Sequence, residues 1–360
     1  MAKEYSTFES LMEMADSLPY GSERTDFREK AINLADLQGT EQQQFNARKD
    51  FVDDVCSEGS FTEKYFTVFP WLLKYAQTKG TDDEKMIVLW YYKWVVMVMP
   101  DFPAVTKAQI ENTLEDLKKR YVEYGSNEKV YHQYAYEAYR NMGDLEKGKY
   151  HHDRWKKFKK RDYLDDCEAC VINRDVTFRI FANDLTGALK VAAPLLTRKL
   201  TCTHIPKDTY TNFIIPLLRE GSNELADEFA LKLAKTLSRT KFGGDIFNAH
   251  VLLVYYTKQE EYTKAVKLFE RFSKTDVDQK NLSRRFYFYT AAQKLFSNIP
   301  KEKVTMTIRN KAAYYQANNN YNVKALAEWF DKETDRIAGL FDKRNGNNFL
   351  SREKETLLAL

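Results

Sequence analysis

Glycine and proline are scarce in these 360 residues, 13 and 8 in all, about half the usual frequency of each. Turn-dense folds draw on glycine for left-handed backbone positions, so this scarcity argues against an all-β sandwich or barrel. Cysteine is scarce too: four in the chain are too few for a secreted disulfide scaffold and predict a reducing, cytoplasmic setting. Long apolar runs are missing. The most apolar stretch, residues 86–99, spans 14 positions, contains Lys93 and falls short of the roughly 20 residues needed to cross a bilayer. Met1-Ala2-Lys3-Glu4-Tyr5 has neither the charged start nor the apolar core of a signal peptide. Charge of one sign is also absent. With 56 basic and 52 acidic residues the formal net charge is +4, which speaks against a dedicated nucleic-acid binder while leaving room for a local basic patch. No G-x-x-x-x-G-K, G-x-G-x-x-G, H-E-x-x-H or G-x-S-x-G motif occurs, which weakens the case for catalysis.

What is present is aromatic and periodic. Tyrosine and phenylalanine number 23 each, and such side chains need surfaces to pack on. Hydrophobic residues make up 43%, too much apolar material for a disordered chain. Four turn-and-helix segments, residues 141–148, 182–188, 220–226 and 258–265, each place a small residue shortly after a polar turn: Gly148, Ala188, Ala226 and Ala265. These small residues recur at intervals of 40, 38 and 39, the mark of one structural unit used several times. Before the third turn Phe213, Ile214, Leu217 and Leu218 have helical spacing; after it Leu225, Ala226, Phe229, Ala230 and Leu233 do. Each unit therefore reads as two antiparallel helices whose backbones approach at the small residue. Asp144, Asp184 and Asn223 stand where N-caps or first-turn acids are expected.

The N-terminal third reads as helical without the repeat. Arg28, Ala31, Ile32 and Ala35 suit a helix ending near Gly39; Phe45, Phe51, Val52 and Val55 suit another stopping around Gly59. A third begins at residues 66–73, a fourth carries Trp90 and Trp94 and ends at Pro100 and Pro103, and Thr106 caps a fifth with Ile110, Leu114, Leu117 and Tyr121. Toward the C-terminus, residues 286–296, 304–315 and 323–341 give three more helices, and the tail 344–360 is expected to fray. The chain is thus expected to be all-α: an N-terminal helical region at 1–125, repeats at 126–278, C-terminal helices at 279–343 and the tail. No Gly/Ser/Pro-rich linker interrupts it, so one continuous array is expected.

Candidate chemistry centres on cysteine. Cys167 and Cys170 form a C-x-x-C pair before the first helix of one hairpin, and Cys202-Thr203-His204 follows its second helix. An antiparallel hairpin brings its start and end to one rim, so three thiolates and an imidazole would satisfy tetrahedral structural zinc. The alternative is cysteines sealing helix ends, with His204 exposed in a loop. Lys156, Lys157, Lys159 and Lys160, beside Trp155, Phe158 and Arg161, either grip a phosphate or acidic partner or form a solvated helix face. His151 and His152 point about 100° apart on a helix and make a poor metal pair. His132 and His250 read as structural. The tyrosines Tyr131, Tyr134, Tyr136 and Tyr139 read mostly as core, with Tyr131, Tyr134 and Tyr139 as candidates to line a partner groove.

The hairpin resembles the tetratricopeptide type. Tyr139 four residues before Gly143 and Tyr256 four before Glu260 match its aromatic-to-turn offset, whereas Gly148 replaces the expected alanine and the period exceeds 34. Leu89-Trp90-Tyr91-Tyr92-Lys93-Trp94, Phe102-Pro103, Asp166-Cys167-Glu168-Ala169-Cys170, Leu200-Thr201-Cys202, Ile205-Pro206 and Thr209-Tyr210 further resemble an uncharacterised group of bacterial helical-repeat proteins, over roughly residues 18–297. That resemblance implies a right-handed α-solenoid without assigned catalysis. It includes the three cysteines in the pattern and leaves His204 outside it. The expected function is a non-enzymatic scaffold binding a peptide or protein in a concave groove. RNA binding is the alternative, on one pentatricopeptide-like opening at 206–215, and an enzyme with an unrecognised site ranks last.

Overall fold

A computed structural model of the chain describes residues 7–58, 62–238, 245–276 and 280–360. Met1–Tyr5, Gly59 and the expected boundary at 278/279 lie outside the described residues. Among those described, 17 α-helices stand against a single two-stranded ribbon, so the protein is all-α as its composition predicts. No described helix is long and apolar enough to cross a membrane. The described residues fall into two compact units divided between Val98 and Met99.

The first unit holds α1 (Phe8–Ser17), α2 (Ser22–Gln38), α3 (Glu41–Glu58), α4 (Lys64–Thr78) and α5 (Asp82–Val98), each packed on the next. Ala31, Ile32 and Ala35 of α2 and Phe45, Phe51, Val52 and Val55 of α3 are buried, matching their helical spacing. The same buried face carries charge. Arg28, 2% exposed, donates from Nε to Asp54 at 2.8 Å, and Arg24 pairs with the same carboxylate at 2.8 Å. Arg48 forks onto both oxygens of Asp36 at 2.8 Å and lies over the Trp71 ring.

The second unit opens with a 3-10 turn at Met99–Asp101 and α6 (Lys107–Glu123). Thr106 caps α6 in a capping box with Gln109, each side chain bonding the other's backbone N–H. Four helix pairs follow: α7 (Lys129–Asn141) on α8 (Leu145–Trp155), α9 (Glu168–Phe181) on α10 (Leu185–Leu196), α11 (Lys207–Arg219) on α12 (Asn223–Leu237), and α13 (Ile246–Lys258) on α14 (Tyr262–Asp276). The first helices also touch in succession, α7 to α9 to α11 to α13. At each turn one residue is left-handed: Gly143, Asn183, Gly221 and Glu260, with φ of 72°, 59°, 74° and 58°. The next residue's N–H reaches back to Tyr139, Arg179, Leu217 and Tyr256 carbonyls at 2.8–2.9 Å, the Schellman closure that ends one helix and starts another. Asp144 and Asp184 cap as expected, accepting from the N–H of Lys147 and Gly187; in the third turn Ser222, not Asn223, occupies the cap position.

The four small residues all lie inside. Gly148, Ala188, Ala226 and Ala265 are all buried, and a Cβ on Gly148 would stand 2.9 Å from the Phe178 ring of α9. Ala188, Ala226 and Ala265 belong to one continuous apolar core that runs from Val176 to Leu357. Full burial of a side chain such as Phe213 or Leu233 within it is worth roughly 1.5–3 kcal/mol.

The C-terminal region departs from expectation twice. After α15 (Leu282–Asn298), residues 304–315 are not a helix: β1 (Lys303–Thr305) pairs antiparallel with β2 (Asn320–Asn322), Val304 opposite Tyr321. Met306 and Ile308 are buried while Thr305 and Thr307 are exposed, a period of two that the apolar count disguises as helix. The tail does not fray. α16 (Val323–Asn345) ends at left-handed Gly346, and α17 (Phe349–Ala359) packs back on α15 and α16. Leu350 and Leu357 are buried, Asp342 accepts from the N–H groups of Leu350 and Ser351, and Lys354 is held by Asp331 and Asp335.

Candidate metal centre

Three cysteines meet at one rim of the α9–α10 hairpin. Cys167 is the N-cap of α9 and Cys170 lies in its first turn. Cys202 sits in the turn between α10 and α11, which is closed by reciprocal backbone hydrogen bonds between Cys202 and Ile205, both at 3.2 Å. The three Sγ atoms lie within 4.8 Å of one another. Ala169, Leu195 and Ile205 form a small buried cluster beneath them, against which Cys170, Cys202 and Leu200 pack. Cys167 is exposed and the other two are half-buried.

The electrostatics at the helix start favour one thiolate. Burial opposes ionisation of Cys167, but the Cys170 N–H and the Cys170 and Cys202 thiols outweigh it and hold the group below the ordinary thiol range. Burial and the neighbouring Cys167 push Cys170 in the opposite direction. A tetrahedral zinc with Zn–S bonds of about 2.3 Å asks for sulfurs about 3.8 Å apart, which falls within the 4.8 Å that bounds this triangle. The residues present therefore could hold a metal such as zinc.

His204 does not join them. It is exposed and its imidazole lies outside the group of converging ligand atoms. The turn explains this: the Cys202–Ile205 closure carries Cys202 inward and His204 outward, while the His204 carbonyl accepts the Asp208 N–H at 3.0 Å. The remaining cysteine, Cys56, is buried in the first unit with Tyr65, its thiol pushed up by burial.

The candidate groove tyrosines are inside. Tyr131, Tyr134 and Tyr139 are 4%, 0% and 7% exposed, so they offer a partner almost no surface. Tyr131 donates to Glu115 at 3.1 Å, Tyr134 donates to Asp166 at 2.6 Å, and Tyr139 stacks on His151. The reason is geometric: α7 is wrapped by α6, α8 and α9, leaving its residues 130–139 buried all round. Lys156, Lys157, Lys159 and Lys160 are exposed, but in the loop leaving α8 rather than on a helix face. Lys156 pairs with Asp153 at 2.7 Å.

Two features escaped the sequence reading. His132 and His151 share a hydrogen bond at 3.0 Å between their Nδ1 atoms, and burial holds both down to about 4. His132 faces a cavity of about 340 Å³ that Arg154, Lys157 and Phe158 also line. His250, by contrast, is the buried, hydrogen-bonded histidine expected, bonded to the Phe247 carbonyl and held down to about 4 by burial. The second feature is a polar ladder between successive first helices: Arg174 to Tyr134 at 3.1 Å, Thr177 to Glu137 at 3.2 Å, Thr209 to Asn173 at 2.8 Å and Thr211 to Asn248 at 2.8 Å. Its partners stand 36–40 residues apart, a signal the repeat period contains once polar residues are compared as well as apolar ones. Among known proteins, no family model and no curated protein matches this chain, which stands as an all-α protein of helices packed in sequential pairs.

Proposed function

We propose that this protein is a non-enzymatic interaction scaffold, a right-handed α-solenoid of degenerate tetratricopeptide-like hairpins that binds an acidic peptide or protein segment. The observation that carries the reading is the fourfold recurrence of one turn, at Gly143, Asn183, Gly221 and Glu260, between helices whose first members touch in succession. Stacked hairpins of this kind create extended surfaces on which a partner chain lies. The exposed loop from Lys156 to Arg161 supplies the charge that selects the partner: its four lysines are exposed, with Asp153 the carboxylate that pairs with Lys156. With the tyrosines buried, recognition rests on this basic loop and not on an aromatic groove.

The test is affinity capture with and without nuclease, followed by the same capture with Lys156, Lys157, Lys159 and Lys160 reversed to glutamate. One protein recovered in both nuclease conditions, and lost on charge reversal, is the expected result. Recovery that disappears on nuclease treatment replaces this reading with RNA binding.

A further inference from the structure

We propose that Cys167, Cys170 and Cys202 bind one zinc ion through three thiolates and leave its fourth position to a ligand from solvent. Three sulfurs within 4.8 Å of one another, drawn from two segments of chain, are close enough for a single ion. The cysteines of an iron–sulfur cube stand farther apart. Thiolate ligands select soft or borderline metals, zinc among them.

The fourth position follows from what surrounds the triangle. His204, the neighbour with ligand chemistry nearest in sequence to Cys202, is turned outward. Asp166, adjacent to Cys167, already accepts from Tyr134 at 2.6 Å and from Arg174 at 3.2 Å. Asp208 is engaged by Asn248 at 3.4 Å and Lys207 at 3.9 Å. No fourth protein ligand among the described residues converges, and Cys167 is exposed, so that side of the triangle faces water. Binding replaces up to three thiol protons with Zn²⁺, which leaves the three-thiolate centre with one net negative charge. The ion would tie the start of α9 to the turn before α11, across the open end of the hairpin. Sites that keep one position open exchange that ligand readily, unlike closed four-ligand structural sites.

The whole chain, purified without chelator, is expected to carry one zinc per molecule by elemental analysis. Cobalt(II) replacing zinc should give the intense tetrahedral and sulfur-to-metal absorption of a thiolate site, and a small added thiol should shift those bands. Cys202→Ser should weaken metal binding by more than about 100-fold, beyond the upper end of what a lost outer-shell contact costs. His204→Ala should leave both stoichiometry and cobalt spectrum unchanged. If the wild-type chain takes up neither zinc nor cobalt, the site is overturned. If His204→Ala loses the spectrum as Cys202→Ser does, the open fourth position is overturned in favour of a Cys₃His centre. Should Cys202→Ser fail to fold, alkylation of the wild-type chain decides. Protection of Cys167, Cys170 and Cys202 by added zinc supports the site, and equal labelling with and without zinc overturns it.

Discussion

The first unit and the paired helices α7–α14 are both built of helices that pack on their neighbours, yet they manage buried polarity in different ways. In the first unit the charges converge on one place: Arg24 and Arg28 both reach Asp54, and Tyr91 donates to the adjacent Asp53 at 2.5 Å. In the hairpins polar groups reach one repeat forward, as in the 38-residue link from Lys207 to Asp245 at 2.5 Å. The first arrangement steadies one place in one unit. The second makes every hairpin a partner of the next, so that damage to one is shared along the array. Histidine separates the regions further: all five stand at 132 or later, and none lies in the first unit.

The sharpest way to break this comparison is Asp54→Ala, which removes the buried carboxylate that Arg24 and Arg28 share and leaves them the exposed Asp16. Breaking a buried pair by removing one partner costs about 3–5 kcal/mol, and that loss should appear in the unfolding transition reported by Trp71, Trp90 and Trp94. A loss below about 1 kcal/mol would mean the cluster behaves as a surface network.

Acid should strike the other region. His132, His151 and His250 are each held down to about 4 by burial, so the folded state binds fewer protons than the unfolded chain. Stability is then present above the unfolded value near 6.5 and is lost as pH falls toward 4. The loss approaches about 3 kcal/mol for His250 and is smaller for His132 and His151, where water reaches part of each ring. Glu128 favours a charge on His132, while Lys118 and Arg154 oppose it, as Lys118, Lys147 and His132 do at His151. Hydrogen exchange across that interval should quicken in α7, α8 and α13 before α2 and α3. Replacing His250 with glutamine should flatten part of the slope.

Two glycines at equivalent turns give a smaller, internal contrast. Gly221→Ala pays only the left-handed backbone, about 1–2 kcal/mol, because nothing stands near its Cβ. Gly143→Ala adds an overlap with Phe349 of α17 and should cost more, with faster hydrogen exchange through α17. Smallest of all, Glu260→Gly should raise stability by about 0.5–1 kcal/mol, since an exposed glutamate now holds the left-handed position. A thermal melt unchanged or lowered by this substitution would show that the four turns are not equivalent in energy.

Much of the architecture was legible because periodicity is a local property. Gly148, Ala188, Ala226 and Ala265 announced both the pairing and the interval, and Thr106 announced its cap. Cys167, Cys170 and Cys202 were legible as a cluster for a topological reason, since a hairpin must return to its own rim. His204 was not, because two residues of turn decide whether a side chain points in or out. The helix at Phe349–Ala359 is held by α15 and α16, which no local pattern reveals, and the ribbon at Lys303–Thr305 is hidden for a related reason. Short apolar patterns of period two and of period 3.6 overlap, and what separates them is the surface each segment finds to cover.

The amino-acid sequence alone determined that this chain is helical, that its middle repeats every 38–40 residues, and which small residues let the helices close. These follow from backbone propensity and from spacing along a single helix. Only the tertiary structure decided which tyrosines are core, which histidines meet, and which of four candidate ligands converge. Those outcomes depend on neighbours brought together from distant parts of the chain, and on the cost of leaving a buried polar group without one.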